Sequence, residues 1–295
     1  MPALRCTEFN FGPKAHSDTF CDNLQQATDN ILVFIQAGIF RPSLKRAKDG
    51  ANNRQQKDRI SALHFQCTID TCVGALCDSQ TKEYKMKQEI RKDFDQVATQ
   101  WDTKPFRAKM ANDVATAMIR EIHPSADMKV LDFGCGTGLL TLKLQPLVKA
   151  ITGADSSHGM LGVLKNKIKT QGLTNVHTEF VDFEKGEHVE GGYNLIVSSM
   201  VAHHVPDTLA LFKEWHRLLL PGGQLCFADL DTEDGAFHGD NTGVFHQGFD
   251  RQELRLLLQE VGFHTIRDTT ATIMSKEIEG QGFRDFPIFL ICAKN

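Results

Sequence analysis

Three glycines at alternate positions, Gly134, Gly136 and Gly138, follow the apolar run Val130–Phe133 in V-L-D-F-G-C-G-T-G. Glycines spaced this way let a backbone turn sharply and come close to a ligand, and a helix opening near Leu139 would aim its first amides at a negative group. Which group is decided by the neighbours. A dinucleotide fingerprint, G-x-G-x-x-G, needs glycine at position 139, where the chain has Leu139. A triphosphate loop needs Lys followed by Ser or Thr after its last glycine, and no such pair follows here. Asp132 sets a negative charge beside the loop, which repels phosphate and attracts an ammonium group.

Two further carboxylates fall at strand ends. Asp155 closes the second strand, the place for an acid that accepts both ribose hydroxyls. Asp182 closes the third and can accept from an amino group such as adenine N6. An amino acid joined to an adenosine fits all of these positions, and S-adenosylmethionine is such a ligand. His203, His204 and His246 are the candidate bases, because imidazole is poised near neutral pH. Cys135, Cys226 and Cys292 sit in or beside apolar runs and read as small core residues, although Cys135 also belongs to the glycine loop.

The elements that must position these residues alternate. Apolar residues at Met110, Val114, Met118 and Ile122 give helix spacing over 106–122. Strands are expected at 129–133, 150–155, 176–182, 194–199 and 224–230, with helices opening at 139 and spanning 158–169. Asp207 caps a helix carrying Leu211, Phe212, Trp215 and Leu218, and Pro221-Gly222-Gly223 reads as a turn. Asp250 with Glu253 forms a capping box for a helix that Gly262 closes. Segments 263–273 and 286–293 could pair as a hairpin. Such alternation predicts an α/β fold: a Rossmann-like, doubly wound, mostly parallel sheet in three layers, α/β/α, with ligands beyond the carboxyl ends of its strands.

Together, V-L-D-F-G-C-G-T-G-L-L, G-A-D-S-S-H-G-M-L, V-D-F-E, Y-N-L-I-V-S-S-M-V-A-H-H-V-P-D and L-L-P-G-G-Q-L-C-F-A-D resemble a class I S-adenosylmethionine-dependent methyltransferase. The likeness is to the small-molecule group that includes the ubiquinone/menaquinone-biosynthesis type, and it covers about residues 90–295. It implies seven strands with an antiparallel last strand. It implies that Asp132, Gly134, Gly136 and Gly138 hold the methionine moiety, with Cys135 among the cofactor-binding residues of the loop, and that Asp155, with Ser156 beside it, takes the ribose. Met160 would pack near the adenine, Asp182 would bind its N6 with the Phe183 backbone adjacent, and Ser198 and Ser199 would lie under the sulfonium. F-D-Q-V-A-T-Q-W-D, from Phe94 to Asp102, resembles the N-terminal lid of this group, with Trp101 a candidate cover. Asn194 departs from the family, which usually has Asp there, and is assigned to strand packing. The carboxylate-rich segment 229–240, with His238, raises a metal site of the catechol type. Ser199 stands where a ligating carboxylate would follow the fourth strand, so no metal is expected.

The resulting expectation is methyl transfer to a small-molecule acceptor. The rival is a non-catalytic S-adenosylmethionine-binding or scaffold protein with the same fold. A net charge of −4 gives no electrostatic footprint for nucleic acid. The fourth-strand motif also lacks the Pro-Pro-aromatic and Pro-Cys patterns of nucleic-acid methylation. No apolar run nears the roughly 20 residues of a membrane span, and the first ten residues lack a leader pattern, so a cytoplasmic location is expected. Residues 1–85 show no clean period. They carry the polar stretch 45–59 and the C-x4-C-x4-C run of Cys67, Cys72 and Cys77, which lacks paired zinc knuckles. They read as an extension, loosely packed or disordered, before a methyltransferase domain at 86–295. Oligomeric state is not legible.

Overall fold

The computed structural model describes residues 92–295, which form one compact unit. The expectations for residues 1–85, including the 45–59 stretch and Cys67, Cys72 and Cys77, lie outside the described residues, as does the proposed domain start at Met86.

The chain runs α1 (Pro105–Ile122), β1 (Lys129–Phe133), α2 (Thr141–Leu144), β2 (Ala150–Asp155), α3 (His158–Gln171), β3 (Val176–Phe180) and β4 (Tyr193–Ser199). It continues through α4 (Thr208–Leu218), β5 (Leu219–Leu230), α5 (Arg251–Val261), β6 (His264–Ile278) and β7 (Gly282–Lys294). Seven strands form one sheet in the order β3-β2-β1-β4-β5-β7-β6. β7, the last strand, runs antiparallel to both β5 and β6; the pairs among β1 to β5 are parallel. The seven-stranded α/β/α sandwich matches the expectation.

Strand alternation builds the layers. Val130, Leu195 and Val197 pack with Val114, Met118 and Ile122 of α1 on one face. Leu131, Ile196 and Leu225 pack with Leu211, Phe212 and Trp215 of α4 and Leu254 of α5 on the other. Adjacent strand residues point to opposite faces, so runs buried on both sides must be apolar throughout. Caps fall where the sequence placed them. Asp207 accepts from the Ala210 amide at 3.1 Å, and Asp250 from Gln252 and Glu253 at 2.8 and 3.0 Å. Gly262 closes α5 at φ +118°. Asn194 Oδ1 accepts from the Lys129 amide at 2.9 Å, tying β4 to the start of β1.

Two local expectations are corrected. The helix after the glycine loop is a single turn, because Pro146 has no N–H for the next intrahelical bond and the chain passes into a 3-10 turn at Gln145–Leu147. Residues 221–223 are not a turn between elements but part of β5. The register jumps from Tyr193↔Leu219 to Leu195↔Gln224, and Gly222 at φ +75° donates to Asn295 O, so the extra residues form a bulge inside the strand. The final hairpin is also longer than expected.

The sheet has one switch point. From β1 the chain winds outward to β2 and β3, then returns to β4 on the other side of β1. The loops after β1 and β4 therefore diverge and leave a crevice at their carboxyl ends.

Candidate functional site

The glycine loop leaves β1 into this crevice. Gly134, Gly136 and Gly138 all have positive φ, at +73°, +54° and +82°. Two of them face protein. A Cβ on Gly134 would meet Val201 Cγ2 at 2.3 Å, and one on Gly138 would meet Leu164 Cδ1 at 2.4 Å. A Cβ on Gly136 would meet nothing within 4 Å. The middle glycine thus presents bare backbone to open space, held there by neighbours that are packed tight. The Cys135 amide donates to Ala154 O, and its thiol packs with Leu161 and Leu164 and donates to Gly136 O at 3.6 Å.

Carboxylates surround the loop. Asp132 is buried at the end of β1 and accepts from the Thr141 hydroxyl at 2.5 Å. Burial pushes its carboxyl up to about 7, helped by the nearby charge of Asp155 and opposed by the Thr141 hydrogen bond. Asp155 accepts from the Gly136 amide at 2.7 Å and the Ser157 amide at 2.8 Å, joining the loop to the start of α3. Burial raises its carboxyl too, against those backbone bonds. Ser156 beside it is exposed, whereas Met160 is buried at the base of α3. Asp182 lies two residues beyond β3, buried, with Lys185 Nζ at 3.1 Å from its carboxylate. The Phe183 ring stands edge-on to Phe133, centroids 6.3 Å apart.

The segment before α1 covers this end of the sheet. Asp95 accepts from the Ser157 hydroxyl at 2.5 Å and the Gly159 amide at 2.8 Å. Those two bonds hold its carboxyl below the usual range. Asp102 accepts from the Thr137 hydroxyl at 2.6 Å and pairs with Lys167 at 2.6 Å. Lys167 in turn donates to Thr137 O at 2.7 Å. Between these two latches, Phe94 meets Trp101 edge-on at 5.8 Å and His204 at 5.4 Å. The Arg107 guanidinium lies 3.4 Å over the Trp101 ring. One cover therefore reaches from the glycine loop to the histidines after β4.

Those histidines form a cluster. Ser198 is spent on structure, donating to Phe133 O at 2.8 Å, while Ser199 pairs with Ala228 at the end of β4 and β5. Met200 takes φ +60°, turning the chain sharply into the loop. His203 is fully buried and its Nδ1–H donates to Asp229 Oδ1 at 2.6 Å. His204 donates from Nδ1 to Gly243 O at 2.7 Å. His238 closes the group, with its ring 4.9 Å from His203. Burial, with the neighbouring histidines, holds His204 down to about 3; burial, then His203 and two lysines, holds His238 down to about 4. His246 donates from Nε2 to Val205 O at 3.0 Å and stacks near Phe249, pinning the 241–250 segment. Among the described residues, no three His, Cys, Asp or Glu side chains are arranged to hold a metal ion. No helix among them is long and apolar enough to cross a membrane.

Sequence reasoning placed the glycines and strand-end carboxylates. It missed Asp229 as the partner of His203, and Asp95, Asp102 and Thr141 as latches. The F-D…W-D spacing contained both latch acids, but nothing local named their partners.

A family model described as a methyltransferase domain matches residues 106–267. Among curated proteins, an uncharacterised methyltransferase of Schizosaccharomyces pombe is 28% identical over 156 residues, 48% of this chain and 55% of that protein. The biotin biosynthesis bifunctional protein BioHC of Saccharophagus degradans is 32% identical over 174 residues, 58% of this chain and 29% of that one. A ubiquinone biosynthesis O-methyltransferase of Pseudomonas aeruginosa is 26% identical over 152 residues, covering 50% and 65%. In each case the match covers less than two thirds of the relative's own length. Among solved structures, phosphoethanolamine N-methyltransferase 2 of Haemonchus contortus, in complex with S-adenosyl-L-methionine, gives a TM-score of 0.52 at 15% identity, over 68% of this chain and 60% of that one. A SAM-dependent methyltransferase of Aquifex aeolicus gives 0.51 at 18%, over 69% and 99%. At these identities the likeness is one of fold.

Proposed function

Because the chain belongs to the methyltransferase-domain family, whose cofactor is S-adenosylmethionine, we propose that it transfers a methyl group from that cofactor to a small-molecule acceptor. The observation that carries this reading is the opening at Gly136: of three strained glycines, it is the one whose side-chain direction is empty space. The residues around it suit the cofactor part by part. Gly134, Gly136, Gly138 and the buried Asp132 would hold the amino-acid end, with the carboxyl of Asp132 facing an ammonium group. Asp155 already accepts two amides, and an ionised carboxylate has about four acceptor positions, so it retains room for ribose hydroxyls. Asp182 with Phe183 would take the adenine edge, Met160 and Ser156 would flank it, and Ser199 and Trp101 would close the site from below and above.

When bound, the cofactor supplies a methyl group activated by positively charged sulfur. The chain's own task is to orient and to exclude water. Asp95 and Asp102 latch the 94–102 segment over the crevice, and the Phe94 and Trp101 rings shield what lies beneath. Holding two reactants in line is worth on the order of 7–11 kcal/mol of barrier. His203, His204 and His246 all lie on the loops at this end of the sheet and are the candidates to take a proton where the acceptor must lose one. A small acceptor is supported by the enclosure of the histidine cluster under the cover and by the net charge of −4. We place the working domain at 86–295.

Calorimetric titration of S-adenosylmethionine and S-adenosylhomocysteine tests the reading. Micromolar binding of both is expected. A folded chain that binds neither would remove the enzyme reading and favour a scaffold role.

A further inference from the structure

Among the described residues, four buried polar side-chain atoms have no hydrogen-bond partner, and two of them, His203 Nε2 and His238 Nε2, belong to rings 4.9 Å apart on the loops after β4 and β5. A buried group left unpaired costs about 1–3 kcal/mol, so two in neighbouring rings mark a spot that polar groups of a ligand complete. Of these atoms, His203 Nε2 is set up for chemistry. Asp229, fully buried on β5, accepts the Nδ1–H and also takes the His203 amide at 3.3 Å, so both the ring tautomer and the loop are fixed. With the proton on Nδ1, Nε2 carries the lone pair. An imidazole whose far nitrogen bonds a buried carboxylate can take a proton and have the resulting charge stabilised.

The neighbours exclude the alternatives. His204 and His238 are held neutral first by burial and then by His203, and are poor bases. His246 has its Nε2 on Val205 O. The charged or titratable groups around His203 are Asp229 from β5, His204 from its own loop and His238 from the loop after β5, with Lys92 and Lys276 acting on His238 from farther out. The loop that carries His203 packs on the glycine loop. Val201, two residues before His203, packs on Gly134, and the cover that bonds Thr137 at one end touches His204 at the other.

We propose that His203, oriented by Asp229, is the general base of this protein, and that the acceptor is an acidic hydroxyl on a planar π-system, a phenol or an enol. The inference rests on the methyl-transfer reading above. An amine attacks through its own lone pair and needs no base at the start; an aliphatic alcohol is too weak an acid for imidazole. A phenol lies within reach, and the dyad has aromatic rings beside it, His204 and His238 directly and Phe94 beyond His204. The hydroxyl proton passes to His203 Nε2. The oxygen keeps that electron pair and bonds to the methyl carbon as the carbon–sulfur bond breaks, leaving its pair on sulfur. The products are a methyl ether, a neutral thioether and an imidazolium paired with Asp229, which then loses its proton to solvent.

The test uses the full chain loaded with S-adenosylhomocysteine and titrated with 4-nitrocatechol, whose visible absorbance reports its ionised form. The bound dye is expected to ionise about one pH unit or more below the free dye. His203→Gln and Asp229→Asn should abolish that shift while binding S-adenosylhomocysteine within about twofold of wild type by calorimetry. In turnover with S-adenosylmethionine, catechol should be methylated and benzylamine and benzyl alcohol should not. His203→Gln should lower kcat about 10²–10⁴-fold at neutral pH with KM little changed, the loss shrinking for 4-nitrocatechol at alkaline pH where the acceptor ionises unaided. A wild type that binds S-adenosylhomocysteine but leaves the dye unbound or unshifted overturns the inference. So does equal ionisation in His203→Gln, or methylation of benzylamine that His203→Gln does not slow. If both variants unfold, the wild-type dye shift and the acceptor panel decide. Failure of wild type to bind S-adenosylhomocysteine is a different result, and removes the cofactor reading first.

Discussion

Asp132 offers a quantitative probe of the cradle, because its carboxyl is pushed up to about 7 before any ligand arrives. At pH 7 about half of the molecules carry the proton there, and at pH 6 about nine-tenths do. An ammonium group within ~4–6 Å would pull the carboxyl down by about 1–3 pH units, a coupling worth about 1.4–4 kcal/mol. Binding of S-adenosylhomocysteine should therefore release about 0.4–0.5 proton at pH 7, about 0.4–0.9 at pH 6 according to the size of the shift, and almost none above about pH 8.5. Calorimetry in buffers of different ionisation enthalpy reads the number directly. Asp132→Asn should abolish the release at pH 6 and weaken binding at pH 8 by roughly 10- to 1000-fold, with affinity nearly flat in pH. The variant also assigns the proton, since burial raises Asp155 as well. Thr141→Val removes the hydrogen bond that opposes the shift, so the release profile should move to higher pH. Uptake in place of release, or release that persists in Asp132→Asn, would refute the placement of an ammonium group beside this carboxyl. Stability follows the same linkage. A carboxyl whose folded value exceeds its ordinary 3.8 binds its proton more tightly when folded, so the ligand-free protein should lose stability as pH rises from about 4 to 7, by at most about 4 kcal/mol.

The glycines should separate in mutagenesis. Gly136→Ala costs about 1–2 kcal/mol for the positive φ and meets no atom, so it should fold yet bind S-adenosylhomocysteine at least tenfold more weakly. Gly134→Ala adds a collision with Val201 worth about 1–3 kcal/mol, and its thermal midpoint should fall further. Equal melting of the two variants would contradict this assignment of space. Asp102→Ala severs the bonds to Thr137 and Lys167, so protease should cleave within 92–104 faster, and S-adenosylhomocysteine should no longer protect that segment as it does in wild type. Residues 86–295 expressed alone should bind S-adenosylhomocysteine as tightly as 1–295; binding by the longer chain alone would assign the first 85 residues a part in the site.

What the sequence carried and what it withheld divide along a physical line. Gly134, Gly136 and Gly138 are legible because the backbone angles they adopt are ones other residues resist, so type and spacing encode the loop. Asp132, Asp155 and Asp182 are legible because each follows an apolar strand, and a parallel sheet sends all such ends to one side. The same period-2 burial made the three layers readable. The one-turn α2 and the bulge at Gly222 were not, since each depends on a single Pro or Gly whose effect is decided by pairing that only the folded sheet supplies. The dyad shows the limit most clearly. His203 and Asp229 are 26 residues apart and meet because β4 and β5 are neighbours in the sheet, an adjacency that follows from strand order and from no local pattern. Sequence alone could name His203, His204 and His246 as equals. The hydrogen bonds break the tie: Gly243 O takes Nδ1 of His204, Val205 O takes Nε2 of His246, and only His203 has a carboxylate on one ring nitrogen and a bare lone pair on the other. A chemical role that three residues share by type is assigned to one of them by where its second nitrogen points, and that is a property of tertiary packing.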